Sequence, residues 1–183
     1  MINSIKKKIL ITGSNGFIGK NLLINLEEKN IYKVLTFNRG DNFQRLNNLI
    51  NESDLIVHLA GENRPKDIED FMKTNLNLTK DIVKLVEINS KKHNKTIPII
   101  FSSSTQVKLE NEYGQSKLLA EKELELLSKK IQCPINIFRL PGVFGKWSKP
   151  NYNSVIATIC NNIARKKPIY IDEPEKVLKL VYI

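Results

Sequence analysis

The residues best suited to chemistry in this chain are a tyrosine and a lysine in the segment Tyr113-Gly-Gln-Ser-Lys117. Side chains four residues apart on a helix leave from the same face, so the spacing predicts an ammonium group beside a phenol. A phenol titrates near pH ~10 and a neighbouring cation favours its ionised form, which predicts a lowered pKa for Tyr113. Such a phenol can protonate an oxygen that gains negative charge, as in ketone reduction. The alternative is an amphipathic helix with an exposed lysine and a half-buried tyrosine.

A run of serines at the end of an apolar segment precedes this pair. We expect the hydroxyl of Ser104 to hydrogen-bond the same reacting oxygen, because developing negative charge is stabilised by donors fixed around it. Ser104 precedes Tyr113 by only nine residues. Ser103 or Thr105 could therefore fill that role instead.

A glycine-rich turn lies near the start of the chain, in Thr12-Gly-Ser-Asn-Gly-Phe-Ile-Gly19. It follows an apolar strand and opens an amphipathic helix, and glycines at this spacing allow a tight turn, close approach of a pyrophosphate and helix packing. The helix N-terminus offers free N–H groups to phosphates. The alternative is an ordinary strand-to-helix turn. The dinucleotide contacts expected here are Gly13, Asn15, Gly16, Phe17, Ile18 and Gly19.

The residue that follows the second strand bears on the choice of cofactor. Arg39 stands where an acidic residue would bind the ribose hydroxyls of NAD, and an arginine there can pair with a 2′-phosphate. NADP(H) is therefore favoured over NAD(H). The competing interpretation is that Asp41 binds the hydroxyls while Arg39 is solvated.

The elements that must position these residues are short apolar strands alternating with longer amphipathic helices. This pattern is typical of a parallel sheet covered on both faces, so we predict an α/β fold with a Rossmann-like, doubly wound parallel sheet. Only one helix fits between the second and third strands, so we expect the usual extra edge strand to be missing. The predicted strands are 8–12, 33–37, 55–59, 97–102 and 135–139, with short strands at 169–171 and 177–182. The predicted helices are 17–28, 43–50, 75–88, 113–130 and 154–164, and 141–153 reads as a long functional loop.

Composition narrows the class of protein. The 183 residues are 41% hydrophobic, which suits one domain with a real core. The net charge of +10 is spread along the chain near predicted helix ends, so no nucleic-acid partner is expected. No apolar run is long enough to cross a bilayer, so no membrane partner is expected either. Cys133 and Cys160 lack metal-ligand spacing and lie in apolar segments, which favours buried thiols in a reducing cytoplasm and no metal site.

Together these motifs resemble the extended short-chain dehydrogenase/reductases, the NAD-dependent epimerase/dehydratases, over essentially the whole chain. His58-Leu-Ala-Gly61, Asn75 and Arg139-Leu-Pro-Gly-Val-Phe-Gly145 join the glycine turn, the serines and the Tyr-Lys pair in the family's order. The resemblance implies Tyr113, Lys117 and Ser104 as catalytic residues. It also implies that Asn75 shapes its helix and supports a proton relay, the alternative being a surface residue. The further cofactor contacts implied are Leu59, Ala60, Gly61, Ser102, Tyr113, Lys117 and Leu140.

Within that family, two segments resemble the reductase domain of bifunctional enzymes in capsular polysaccharide synthesis, on the UDP-N-acetyl-L-fucosamine pathway. They are His58-Leu-Ala-Gly-Glu-Asn-Arg-Pro65 and residues 144–158. The resemblance implies NADPH-dependent reduction of a 4-keto UDP-2-acetamido-2,6-dideoxyhexose. The second, cupin domain of those enzymes has no counterpart here, and the family normally continues past residue 183. We therefore expect a C-terminally truncated reductase domain over 1–183 with an incomplete substrate region.

Candidate substrate contacts follow two strands, where open sheets bind ligands. They are Asn63, Arg64, Ser104, Trp147, Lys149 and Tyr152. Each could equally anchor a loop, while His58 reads as a packed core residue and His93 as a solvated one. Besides a UDP-sugar, the partners considered are a second copy in a homodimer and a separate epimerase or cupin chain. The alternative functions are a noncatalytic NADP-binding module or inactive relic, and an NAD-dependent sugar-nucleotide epimerase/dehydratase.

Overall fold

We describe a computed structural model of the chain over residues 6–65, 67–152, 154–171 and 173–183. The chain divides into two compact units after Arg139. Among the helices in these described ranges, none combines the length and apolarity that crossing a membrane requires.

The first unit is built on a five-stranded sheet with the order β2-β1-β3-β4-β5. β1 is parallel to β2 and β3, and β3 is parallel to β4. This confirms the predicted doubly wound sheet, and α2 is the only helix between β2 and β3 in this fully described stretch. The strands are β1 Lys7–Thr12, β2 Tyr32–Phe37, β3 Leu55–His58, β4 Ile99–Ser104 and β5 Ile135–Leu140.

Helices of this unit cover both faces of the sheet. They are α1 Phe17–Lys29, α2 Phe43–Glu52, α3 Glu69–Phe71, a π-helical turn Met72–Asn77, α4 Leu78–His93, a 3-10 turn Thr105–Lys108 and α5 Glu112–Ile131. The helix predicted to start at residue 75 thus starts earlier and contains a π-helical turn. α5 begins where the Asn111 side chain accepts the N–H of Gly114 at 2.7 Å. It ends at Gln132, whose φ of 52° leaves the helical region.

Two hydrophobic clusters sandwich the sheet, because successive side chains of a strand point to opposite faces. Leu10 of β1 packs with Ile56, Phe101 and residues of α4 and α5 on one face. Its neighbours Ile9 and Ile11 pack with Val57 of β3 and Leu26 of α1 on the other. The strand ends are therefore held in a rigid layer.

In the second unit, the described residues form a two-stranded parallel sheet and one helix. β6 is Gly142–Phe144, β7 is Leu180–Tyr182, and α6 is Val155–Ala164. The predicted loop 141–153 was wrong at its start, where β6 pairs with β7; its last residue, Asn153, lies outside the described residues.

Two further predictions for this unit were wrong. Residues 169–171 form no strand, since this apolar triplet has no neighbouring strand to pair with in the described part of the unit. Cys160 is exposed instead of buried, because α6 has no fully buried residue. Cys133, by contrast, is buried as predicted, and burial raises its pKa to about 11.

Candidate active site

A cleft of about 750 Å³ opens where β1, β2 and β3 end. The adjoining ends of parallel strands with reversed connections are where open α/β sheets bind ligands. Predicted cofactor contacts in its lining are Gly13, Asn15, Gly16, Arg39, Leu59, Ala60 and Gly61. Phe17, Ile18 and Gly19 form the first turn of α1 beside it.

The glycine turn leaves a side-chain-free cradle at the start of α1. Gly13 has a φ of 75°, and a Cβ there would lie 2.8 Å from the backbone nitrogen of Ala60. A Cβ on Gly19 would overlap the carbonyl oxygen of Gly13. Gly16, the N-cap of α1, brings no side chain to cap the first turn, so those N–H groups can meet a phosphate. These features fit the pyrophosphate of a dinucleotide.

Asn38, directly after β2, braces this turn. Its side-chain oxygen accepts the N–H of Asn15 at 3.0 Å, and its amide nitrogen donates to the hydroxyl of Ser14 at 2.8 Å. These hydrogen bonds could not be predicted from the sequence, because they join residues that are 23 and 24 positions apart. The turn is therefore preformed by a contact between β1 and β2 ends.

The two residues considered for cofactor choice both line the cleft, and both are already paired. The Arg39 guanidinium forms an ion pair with Glu62 at 2.7 Å. The carboxylate of Asp41 accepts the N–H of Asn38 at 2.8 Å and pairs with Arg45 at 3.0 Å. Since both oxygens of Asp41 are engaged, Arg39 is the residue with more freedom to meet a ligand; its side chain is 82% exposed.

Asn75 holds the loop after β3 against α5. Its side-chain amide accepts the N–H of Glu62 at 2.8 Å and donates to the carbonyl oxygen of Glu62 at 3.0 Å. It also donates to the hydroxyl of Ser116 at 2.9 Å, which in turn donates to the carbonyl oxygen of Tyr113. The alternative of a surface residue was therefore wrong, because Asn75 is buried. Its place in the π-helical turn matches the frequent occurrence of such turns at functional sites.

His58 is a packed core residue, as predicted. The Thr79 hydroxyl donates its one proton to the carbonyl oxygen of Asn75. The same hydroxyl must therefore accept the hydrogen bond from Nε2 of His58, at 2.9 Å. Nδ1 must then accept from the Thr12 hydroxyl at 2.7 Å, and Thr12 accepts the N–H of Ala60. Burial, and then the charge of Lys117, lower the pKa of His58 to about 3. The imidazole is therefore neutral and aligns the strand end.

Tyr113 lies close to Ser104. Burial raises the pKa of Tyr113 above its ordinary value, while the nearby Ser104 hydroxyl lowers it by less. The predicted lowering of the Tyr113 pKa by a neighbouring cation was therefore wrong, because desolvation of the phenol dominates and only Ser104 acts against it. Ser103 instead donates to Glu121 at 2.5 Å, and Thr105 is exposed. Of the three candidates, Ser104 is the one that meets the tyrosine.

Lys117 is buried behind this pair. Its ammonium donates to the carbonyl oxygen of Ser102 at 3.0 Å and lies 4.9 Å from the centre of the Phe101 ring. A Cβ on Gly61 would lie 2.8 Å from Nζ, so the glycine leaves room for the lysine at the cleft. Burial lowers the pKa of Lys117 to about 8, although the negative charge of Glu121 raises it.

Glu121 is a site residue that the sequence analysis missed. It is 1% exposed and accepts three hydrogen bonds from Arg139, at 2.6, 3.0 and 3.2 Å, besides the bond from Ser103. The available signal was its spacing, because a residue four positions after Lys117 shares its helix face. Glu121 therefore places a buried negative charge one turn behind the lysine.

The predicted contacts in the second unit lie at the end of β5 and in the loop between β6 and α6. Leu140 is the last residue of β5. Trp147 has a φ of 69°, and the Lys146 ammonium lies 4.6 Å from the centre of its ring. Lys149 and Tyr152 follow in the same loop. In the first unit, Asn63 and Arg64 donate their backbone N–H groups to Glu62. Substrate contact by these residues stays a prediction.

Comparisons with known proteins agree with this geometry. The model of the NAD dependent epimerase/dehydratase family matches residues 9–178. The chain is 46% identical over 176 residues to the UDP-2-acetamido-2,6-beta-L-arabino-hexul-4-ose reductase of Pseudomonas aeruginosa, covering 96% of this chain and 46% of that protein. It is 28% identical over 193 residues to the UDP-glucose 4-epimerase of Vibrio cholerae, covering 86% and 58%.

Among solved structures, the capsular polysaccharide assembling protein CapF from Staphylococcus aureus matches with a TM-score of 0.80 and 38% identity, over 95% of this chain and 46% of that one. The UDP-glucuronic acid 4-epimerase from Bacillus cereus, solved with NAD, shares the fold with a TM-score of 0.75 at 22% identity, over 90% and 66%. The chain spans about half the length of the Pseudomonas and Staphylococcus proteins. By its matched motifs, its fold and these likenesses, this chain belongs to the NAD-dependent epimerase/dehydratase family.

Proposed function

We propose that this chain reduces a 4-keto UDP-2-acetamido-2,6-dideoxyhexose to the 4-hydroxy sugar with NADPH, in the synthesis of capsular or surface polysaccharide precursors. The observation that carries the proposal is the proximity of Ser104 to Tyr113, together with the Lys117 ammonium beside Gly61 of the cleft. The 46% identity to a protein named as a reductase of such a sugar supports the substrate class.

In this proposal each residue of the site has a step in the reduction. NADPH, when bound, supplies the hydride that adds to the carbonyl carbon. Tyr113 gives its hydroxyl proton to the carbonyl oxygen, and Ser104 donates a hydrogen bond to the same oxygen. The raised pKa of Tyr113 suits this role, because the phenol carries its proton at neutral pH. The positive charge of Lys117 stabilises the phenolate left behind until solvent returns the proton.

The preference for NADPH rests on Arg39 at the cleft. A guanidinium can form paired hydrogen bonds with a phosphate, and this one is mostly exposed. The competing residue, Asp41, has both carboxylate oxygens engaged by Asn38 and Arg45. A 2′-phosphate therefore has a partner here, whereas ribose hydroxyls would have to displace existing bonds of Asp41.

Deuterium transfer tests this function against the alternatives. The chain is mixed with the 4-keto sugar nucleotide and NADPH that carries deuterium at the transferable position. A reductase consumes one NADPH for each sugar reduced and leaves the label on C4 of the product. Interconversion of sugars without net loss of NADPH would indicate an epimerase and contradict the proposal. Cofactor binding with no product would indicate a noncatalytic module.

A further inference from the structure

An ion pair at the edge of the cleft joins the segments that follow two strands. Arg39 follows β2 and Glu62 follows β3, and their side chains meet at 2.7 Å. In the sheet these two strands lie on either side of β1, which carries the glycine turn. The side chain of Arg39 is 82% exposed, whereas that of Glu62 is 16% exposed. An exposed cation is thus held by a largely buried anion at the place proposed for the 2′-phosphate.

The anion is the fixed member of this pair. Asn75 accepts from the backbone nitrogen of Glu62 and donates to its carbonyl oxygen. One carboxylate oxygen of Glu62 accepts the N–H groups of Asn63 and Arg64, at 3.2 and 3.3 Å, and the other meets Arg39. Burial raises the pKa of Glu62, but these hydrogen bonds outweigh it and hold the pKa below its ordinary value. Glu62 therefore carries a full negative charge at neutral pH.

We propose that Glu62 sets the cofactor preference of this cleft by competing with the 2′-phosphate of NADPH for Arg39. This inference rests on the proposed function, because it requires a nicotinamide dinucleotide in the cleft. A phosphate that approaches Arg39 must share the guanidinium with a carboxylate that cannot move away, and the two anions repel each other. The uncharged 2′-hydroxyl of NADH meets no such repulsion. The Arg39–Glu62 pair therefore reduces the preference for NADPH over NADH that Arg39 alone would give.

The variant Glu62→Gln tests whether the negative charge of Glu62, and not its size, sets the cofactor preference. The amide has the same size, and its oxygen can still accept a hydrogen bond, so the variant removes the competing charge and keeps the loop. We expect the Kd for NADPH to fall about 3- to 10-fold and the Kd for NADH to change less than about twofold. Fluorescence titration of both reduced cofactors at low ionic strength measures the two constants. The gain should shrink as salt is added, because salt screens exposed charges.

Two further variants test whether the change in NADPH affinity is specific to Glu62 and acts through Arg39. Glu87→Gln is the control, because it also removes one negative charge. Glu87 lies in α4, pairs with Lys91 and Lys130, and does not line the cleft. This variant should leave the ratio of the Kd values for NADPH and NADH unchanged. In the double variant Arg39→Ala with Glu62→Gln, most of the gain for NADPH should be lost.

An unchanged or weaker affinity of Glu62→Gln for NADPH would overturn the inference and indicate that Glu62 mainly preorganises Arg39. An undiminished gain without Arg39 would overturn it as well. Failure of the unmodified chain to bind either cofactor would instead remove the proposed function itself, and the inference with it.

Discussion

The Lys117 ammonium donates a hydrogen bond to the main-chain oxygen of Ser102 at 3.0 Å, which ties α5 to the end of β4. The lysine is buried there with its charge one turn from Glu121. Burial lowers its pKa to about 8, within the range of ordinary enzyme assays. In the proposed reduction, a lysine that loses its charge at mildly alkaline pH can no longer stabilise the phenolate of Tyr113.

Titration of the lysines by NMR should therefore find one ammonium with a pKa near 8. A lysine is charged below its pKa, so Lys117 should be charged at pH 7 and lose its proton as the pH rises through about 8. Glu121→Gln removes the charge that raises this pKa and should move the titration to lower pH. Lys117→Met identifies the signal. A Lys117 that titrates unchanged in Glu121→Gln would show that Glu121 has no electrostatic role.

Replacing the adjacent residues Ser103 and Ser104 should affect kcat and stability differently. Ser104→Ala removes the hydroxyl close to Tyr113 and should lower kcat about 10- to 100-fold. It should cost only about 1 kcal/mol of stability, because this hydroxyl also accepts the N–H of Gln106 at the start of the 3-10 turn. Ser103→Ala removes a donor to the buried Glu121 and should cost about 1–3 kcal/mol of stability while kcat stays within about threefold. Steady-state rates and urea unfolding measure both. Equal losses of kcat in the two variants would contradict the assignment of Ser104.

Burial of a neutral His58 predicts acid sensitivity. Its pKa is about 3 in the folded chain and near its ordinary 6.5 when unfolded, so the unfolded state binds the extra proton between these values. The free energy of unfolding should therefore fall by about 1.4 kcal/mol for each pH unit below 6.5, and urea unfolding between pH 6.5 and about pH 5 measures it. His58→Asn should flatten this slope, whereas His93→Asn, which changes an exposed histidine, should retain it. A slope that survives in His58→Asn would exclude His58 as its source.

Substitutions at two glycines of the turn should have different consequences: Gly19→Ala for stability and Gly16→Ala for cofactor affinity. A Cβ on Gly19 would overlap the oxygen of Gly13, so Gly19→Ala should cost about 3 kcal/mol or more of stability. Gly16 has an ordinary φ of −74°, and its nearest contact would be 3.2 Å away, so Gly16→Ala should stay within about 1 kcal/mol of the parent. Its affinity for NADPH should nevertheless fall at least about tenfold, because the methyl group occupies the path of the pyrophosphate. Unfolding and fluorescence titrations compare the two, and parental affinity in Gly16→Ala would place the phosphates elsewhere.

Much of the fold could be predicted because hydrophobic periodicity and glycine spacing are local signals. The five strands of the main sheet and helices α1, α2 and α5 lie within about two residues of their predicted bounds. The π-helical turn could not be predicted, since it depends on the contacts of Asn75 with Glu62 and Ser116, which are far away in sequence.

The site was predictable in its members and less so in its electrostatics. The order of the motifs led to Tyr113, Lys117 and Ser104, whose catalytic roles stay predictions, but the direction of the Tyr113 pKa shift depends on burial, which the sequence pattern does not reveal. The partners of Arg39 and Arg139 were missed for a similar reason. Glu62 and Glu121 are paired with these arginines by tertiary packing across positions 23 and 18 residues apart.

Single-turnover reduction of the 4-keto UDP-sugar tests the central claim most directly, by comparing the unmodified chain with Tyr113→Phe. The phenylalanine keeps the ring packed against Phe71 and removes only the hydroxyl. We predict that the unmodified chain oxidises one NADPH for each sugar reduced, and that the variant binds NADPH equally well but reacts at least about 100-fold more slowly. Equal rates in the two proteins, or NADPH binding without any oxidation by the unmodified chain, would contradict the account.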